Sequence, residues 1–286
     1  MAKIPKRFGP VVEIDNFIDE KKEKTRGYLG MSGIGGECWR KIWYGWHFAT
    51  KKNFSQRTKR IFAMGHLFEK IAIDDLTKIG CEVYKIVDGK KLPLTGEVGE
   101  EQEEIVGFAG HSKGHPDGRI KGISFMPDIE MLLELKTMND KRFNTFLSLG
   151  VQKSDPVYYG QVQKYMFKMG LQYCYFLAIN KNDCHYADEI IEIDYSFAED
   201  LERKEKVIIL SDEPPERAYS SNNFNCNFCN HYAVCHSRVA PEKNCRTCEH
   251  SDIEDGGVWS CGKHNINLDI EKQLEGCSDH LTGWGM

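Results

Sequence analysis

The run Glu130-Met131-Leu132-Leu133-Glu134-Leu135-Lys136 sets two charged side chains into an apolar stretch of strand length. Strand side chains alternate, so Glu134 and Lys136 share one face, while Leu133 and Leu135 point to the other, into a core. On this strand alone the pair fits a solvated outer face of an edge strand as well as it fits chemistry. Asp117 shifts the balance. It lies in Gly114-His115-Pro116-Asp117-Gly118, a turn-like entry to the preceding strand. If the two strands pair as a hairpin, Asp117 comes beside Glu134. Two carboxylates and a strand carbonyl make a hard-oxygen site for Mg2+ or Mn2+. Such an ion polarises a phosphodiester and acidifies a bound water, and a neighbouring lysine can orient that water or stabilise charge on phosphate oxygens.

The cysteines point to a second kind of chemistry. There are eleven, and seven fall between 226 and 277. Cys226, Cys229 and Cys235 form a C-x2-C-x5-C run whose three thiolates call for a fourth ligand. Cys245 and Cys248, followed by Cys261 and Cys277, read as a four-cysteine zinc module, with His250, His264 and His280 as substitutes. The stretch 240–286 is too short and polar to hold a core without such a staple. Cys81, Cys174 and Cys184 read as ordinary core or surface residues.

Several elements must position these groups. A long helix is expected over 57–79, stopped by Gly80, and a strand over 81–87. A loop or hairpin follows over 88–103, then strands over 104–110, 117–124 and 130–136. A helix over 156–170, strands over 173–179 and 190–193 and a helix over 197–210 complete the pattern, and Pro214-Pro215 marks a boundary. Residues 1–31 form a loose or helical lead-in with a charged cluster at 20–26. Ser32–Gly36 reads as a linker into the aromatic helix 37–48, because it lacks a phosphate-loop pattern.

The 286 residues suffice for one large domain or a domain plus a small module. A 41% hydrophobic and 11% aromatic content supports a real core, and no run approaches the ~20 apolar residues of a membrane span. The N-terminal Met1–Phe8 has no apolar signal stretch, so an intracellular, cytoplasmic location is expected. The net charge of −5 argues against a broadly basic nucleic-acid binder. Local bases remain: Arg40, Lys41, Lys51, Lys52, Arg57, Lys59 and Arg60, with Lys141 and Arg142 close to the Glu134 strand in sequence. Trp39, Trp43, Tyr44 and Trp46 could stack on unpaired bases or belong to the core.

Asp117 followed by Glu134-Leu135-Lys136 resembles the D…(D/E)-x-K motif of the PD-(D/E)XK nuclease superfamily, and Pro116 supplies its leading proline. Gly65-His66-Leu67-Phe68-Glu69 resembles the upstream helix motif of the RecB/Cas4-like and phage-exonuclease branch. Gln161 and Tyr165, four apart on one helix face, match its Q-x-x-x-Y motif. The resemblance covers roughly 32–236. It implies a restriction-endonuclease-like α/β fold, a mixed sheet flanked by helices, with a small Cys-rich metal-binding C-terminal module. It implies Asp117 and Glu134 as metal ligands, Glu69 as a further one, Lys136 assisting the attacking water, and Gln161 and Tyr165 lining the site and contacting the strand. Cys38 resembles the distant cysteine that joins three C-terminal ones, here Cys226, Cys229 and Cys235, around a [4Fe–4S] cluster; spacing alone also suits zinc. The expected division is a lead-in over 1–31, a nuclease domain over 32–238 and a zinc-like module over 239–286. The implied activity is Mg2+- or Mn2+-dependent DNA exonuclease action on ends or single strands, in phage or mobile-element recombination, repair or DNA processing, with a recombination or helicase partner. A non-cleaving DNA-binding or assembly subunit and an iron–sulfur sensor are the alternatives.

Overall fold

The computed structural model describes residues 9–20, 25–51 and 54–284. The Met1–Phe8 stretch, most of the charged 20–26 cluster and Lys52 lie outside the described residues. Helix α1 (Pro10–Glu20) precedes the short strand β1 (Leu29–Gly30), helix α2 (Trp39–Trp46) and the long helix α3 (Gln56–Lys78). Ser55 caps α3 by accepting from Thr58 N at 3.2 Å. Strands β2 (Glu82–Val87), β3 (Lys90–Pro93), β4 (Ile105–Val106), β5 (Ser112–Gly114), β6 (Gly118–Lys121) and β7 (Met131–Met138) follow. Two helices, α4 (Asp140–Ser154, broken at Gly150) and α5 (Pro156–Met169), lead to β8 (Tyr173–Asn180), β9 (Tyr186–Glu192) and α6 (Tyr195–Leu210).

The main sheet has six strands in the order β3-β2-β6-β7-β8-β9. Only β7 and β8 run parallel in it, because α4 and α5 form the crossover between them; the remaining pairs are antiparallel. This is a mixed α/β architecture, a curled sheet flanked by helices. Both faces of the sheet are covered. Leu132, Cys174, Phe176 and Ala178 pack against Phe143 and Phe146 of α4 and Val162 and Met166 of α5. Leu133, Leu135, Leu177 and Ile179 pack with Ala72, Ile73 and Leu76 of α3. Leu132 and Leu133, on opposite faces, are both fully buried, each stabilising by about 1.5–3 kcal/mol.

Three readings change. The expected strand at 104–110 is only the two-residue β4, followed by a 3-10 turn at Phe108–Gly110 in which Ala109 has φ 46°. The last strand begins at Tyr186, since its N-terminal half is an edge with polar residues that apolar periodicity does not mark. Helix α4 has no counterpart in the sequence reading. Asn139 starts it by accepting from Arg142 N at 2.9 Å, and its apolar residues cover the face of β7 that carries Glu134.

The Cys-rich end carries the short helices α7 (Phe224–Asn227) and α8 (Tyr232–His236), strands β10 (Ser251–Glu254), β11 (Val258–Cys261) and β12 (Ile266–Leu268), and helix α9 (Ile270–Glu275). The last three strands form their own antiparallel sheet. Trp259, Leu268 and Trp284 nevertheless share a core with Trp43, Tyr44 and Trp46 of α2 and Leu201, Ile208 and Ile209 of α6. Arg246 joins the parts. Its guanidinium lies 4.3 Å from the ring centroid of Trp46, 4.2 Å from Phe48 and 4.7 Å from Trp259. It donates to Gln273 Oε1, Trp46 O and Gly27 O at 2.8, 2.9 and 2.6 Å. This stretch, expected to be too short and polar for a core of its own without a staple, thus shares one with α2 and α6. No helix among the described residues is long and apolar enough to cross a membrane.

Candidate active site

Strands β6 and β7 pair with Gly118 opposite Leu133, which brings Asp117 level with Glu134. Pro116 has no N–H and ends the ladder. The next free amide on β7, Leu135 N, donates instead to Asp117 Oδ2 at 2.7 Å. The aspartate is thus fastened to the strand that carries Glu134 and Lys136. β7 is a central strand and Glu134 is fully buried, so the solvated-edge reading of this strand falls.

Lys136 bonds Glu134 Oε1 and lies 3.9 Å from Asp117 Oδ2, so its ammonium sits between the two carboxylates. Gln161 Nε2 donates to the same Glu134 oxygen at 2.7 Å. Glu134 Oε2 is buried with no hydrogen-bond partner. Glu69 approaches from α3, and His66 Nδ1 lies 3.5 Å from its Oε2. Burial, then repulsion from Asp117, pushes Glu69 up to about 7. Burial, with Asp117 and Glu69 adding repulsion against the pull of Lys136, pushes Glu134 up to about 8. Burial opposes the charge on Lys136, but Glu134 and Asp117 outweigh it and hold the ammonium well above the usual lysine range. Two raised carboxyls beside Asp117, with one buried Glu134 oxygen unsatisfied, are hard-oxygen donors of the kind a divalent cation takes.

Tyr165 is buried, and its hydroxyl is held by the His115 backbone; burial and the Glu134 and Asp117 charges keep it protonated far above the ordinary tyrosine range. A Cβ on Gly114 would lie 2.4 Å from the Tyr165 ring, so only glycine lets the turn seat there. The Tyr165 ring thus packs against the turn that carries Asp117. The Ser32–Gly36 linker has a similar part. A Cβ on Gly35 would meet Pro156 O at 2.7 Å, and one on Gly160 would meet Gly35 Cα at 2.4 Å, so the backbones touch one residue before Gln161.

Sequence reasoning passed over Tyr158. The Lys136 ammonium lies 5.2 Å from its ring centroid and the Arg142 guanidinium 5.0 Å from the same ring. Asp155 bonds Arg142 and also caps α5, accepting from Tyr158 N at 3.2 Å. The signal was present, since Tyr158 sits three residues before Gln161 on one helix face. Tyr28, whose hydroxyl is 3.3 Å from His115 Nε2, borders the other side.

The proposed DNA-contacting bases are not gathered here. Arg40 donates to Tyr44 Oη at 3.1 Å and to Pro215 O at 3.0 Å. Lys59 donates to Ile18 O at 3.1 Å, and Arg60 pairs with Asp15 at 2.7 Å. Lys41 lines the Cys38 cavity, and Arg57 is exposed in the first turn of α3. Trp43, Tyr44 and Trp46 are core residues, which leaves Trp39 as the partly exposed aromatic of α2.

Cys38, Cys226, Cys229 and Cys235 line one cavity, together with Lys41, Arg217 and His236. Burial and then the other three thiols raise Cys226. Lys41 and Arg217 are the cations of this cavity, and thiols beside cations are the kind that ionise and ligate. Burial, then Cys277, Cys248 and Cys261, pushes Cys245 up to about 11, while the ligand atoms that lie close together among the described residues are those of His264, Cys277 and Asp279. His264 Nε2 lies 3.8 Å from Cys277 Sγ and 3.2 Å from Asp279 Oδ2. Cys81 and Cys174 are buried, and Cys184 is exposed.

No protein-family model matches the chain. No curated protein matches it either. Solved structures do. The protein SSO0001 is 16% identical at a TM-score of 0.41, covering 81% of this chain and 98% of its own. An alkaline exonuclease of Laribacter hongkongensis, LHK-Exo, is 16% identical at a TM-score of 0.42, covering 69% of this chain and 90% of its own. The complex of LHK-Exo with dAMP gives 18% identity and a TM-score of 0.41, with 64% and 86% covered.

Proposed function

We propose that this protein is a divalent-metal-dependent nuclease acting on DNA, as an exonuclease at ends or on single strands. The observation that carries the reading is Glu134, a fully buried carboxylate with one unsatisfied oxygen, grouped with Asp117 and Glu69 around Lys136. A Mg2+ or Mn2+ ion held by Asp117, Glu134 and Glu69 would polarise the phosphodiester and acidify the attacking water. Lys136 orients that water and offsets charge developing on the phosphate oxygens. Water oxygen bonds to phosphorus, the bond to the leaving sugar oxygen breaks, and that oxygen takes up a proton. Gln161 fixes Glu134 Oε1, and Tyr165 holds the Asp117 turn; both act on the carboxylates. Cys38, Cys226, Cys229 and Cys235 would hold a [4Fe–4S] cluster that staples α2 to the C-terminal region. Cys245, Cys248, Cys261 and Cys277 would hold zinc, with His264 at hand beside Cys277.

The test is digestion of end-labelled linear and circular DNA with Mg2+ or Mn2+ by wild type and Lys136→Ala. Wild type is expected to degrade linear DNA and the variant to lose about 10²–10⁴-fold in rate. No cutting by wild type of any DNA substrate with either metal refutes the reading and leaves a non-cleaving binding protein.

A further inference from the structure

An exposed aromatic pair stands on the loop that carries the cysteines of the first quartet. Phe224 and Phe228 are 72% and 79% exposed, and their rings meet edge to face with centroids 5.5 Å apart. Between them Cys226 is buried and lines the quartet's cavity, while Phe224 at the start of α7 and Phe228 just past its end are exposed. Two phenylalanines left in water forgo burial that would stabilise the fold. Their surroundings are unlike the rest of this acidic chain. Residues 217–241 contain no Asp or Glu, although 43 of the 286 residues are acidic. They hold Arg238, which is exposed, Arg217, whose guanidinium donates to Cys235 O at 3.0 and 2.6 Å, and five asparagines at 222, 223, 225, 227 and 230. Aromatic faces, cations and amide groups match unpaired nucleotides, whose bases stack and whose phosphates carry the charge, and the Glu37 carboxylate that the fold brings to this segment accepts from Tyr219 Oη. The loop that brings Gly35 against α5 beside Gln161 continues three residues on to Cys38, in the wall of the same cavity.

We propose that Phe224 and Phe228 form a base-stacking platform that binds single-stranded DNA beside the cysteine quartet, outside the carboxylate centre. The proposal rests on the nuclease reading for its choice of DNA as partner. It is tested by binding, so the two can fail separately.

Fluorescein-labelled oligothymidylate is titrated with the full-length protein in Ca2+ and followed by anisotropy. Phe224→Ala/Phe228→Ala is expected to weaken binding by about 5- to 150-fold for each stack lost. Phe228→Trp should keep the affinity, and its added indole emission should be quenched when the oligonucleotide binds. Arg238→Ala should reduce the slope of log affinity against log salt by about 0.7. Far-ultraviolet circular dichroism of each variant checks that the fold is unchanged. A double-alanine variant that binds within twofold of wild type, or an indole in Phe228→Trp that stays unquenched, overturns the platform whether or not the protein cuts DNA. Self-association that the double variant abolishes, with DNA binding untouched, assigns the patch to protein contact and also overturns it. Quenching in a protein that never cuts would sustain the platform and sink the nuclease reading.

Discussion

Divalent-metal affinity at the carboxylate centre should depend steeply on pH, and the size follows from Glu69 and Glu134. Their carboxyls titrate at about 7 and about 8 in the folded protein, against an ordinary value near 4.5. A bound cation needs both ionised, so each group still protonated must lose its proton as the ion enters. At pH 6 that competition weakens binding by roughly 10-fold at Glu69 and 100-fold at Glu134, and at pH 9 by almost nothing. The affinity for Mg2+ should therefore rise about a thousandfold between pH 6 and pH 9, or roughly 4 kcal/mol. Without metal the sign is opposite for stability. Both pKa values are raised on folding, so the native state binds the extra protons. Their contribution is fully present below about pH 4.5 and is lost as pH rises through 7 and 8. Isothermal titration calorimetry in buffers of different ionisation enthalpy reads both affinity and proton release. About two protons should leave per Mg2+ at pH 6, and close to none at pH 9. Mg2+ is suited to this because it avoids the thiolates elsewhere in the chain. Binding that is flat across this range, or that survives Glu134→Gln, would refute the assignment of the ion to these carboxylates.

Other consequences can be measured on purified variants. Gln161→Ala leaves Glu134 with one donor fewer in a dry site and should cost about 1–3 kcal/mol in denaturant unfolding; an unchanged midpoint would contradict the buried geometry. Gly114→Ala drives a methyl into Tyr165, so cutting should fall, while Gly99→Ala, which meets no nearby atom and carries only the strain of its positive φ, leaves it near wild type. Lys164 is fully buried and pairs with Glu205 at 2.6 Å and Glu202 at 2.5 Å, so Glu205→Ala should destabilise by about 3–5 kcal/mol; a loss under about 1 kcal/mol would show the pair to be solvated. Anaerobically purified protein should absorb near ~400 nm, with Cys38→Ser losing the band; a colourless protein carrying zinc in that quartet would replace the cluster.

Much of the site could be read along the chain because its parts are local. Alternation on one strand put Glu134 and Lys136 on one face, and a spacing of four put Gln161 and Tyr165 on one side of α5. The stop expected at Gly80 falls two residues past the end of α3, and the helix expected over 156–170 is α5. The long apolar runs required a covered sheet. What depends on a partner distant in sequence was beyond that reading. Nothing in the strand says that Glu134 is fully buried. That follows from α4 and α5 closing over β7, and it is this dry setting that raises its pKa and leaves one oxygen unsatisfied. The bases near α2 and α3 looked available for phosphates, yet Arg40, Lys59 and Arg60 are spent on carbonyls and a carboxylate of neighbouring segments. The same holds for the tail. Cysteine spacing marked it as a ligand-bearing module, but only the tertiary structure seats Arg246 beneath three rings and gives the tail and α2 a common core. Residue types and short spacings settle which groups can do chemistry, because they act over one or two turns of chain. Burial, pKa and occupancy are properties of the neighbours, and those are chosen only when distant segments pack.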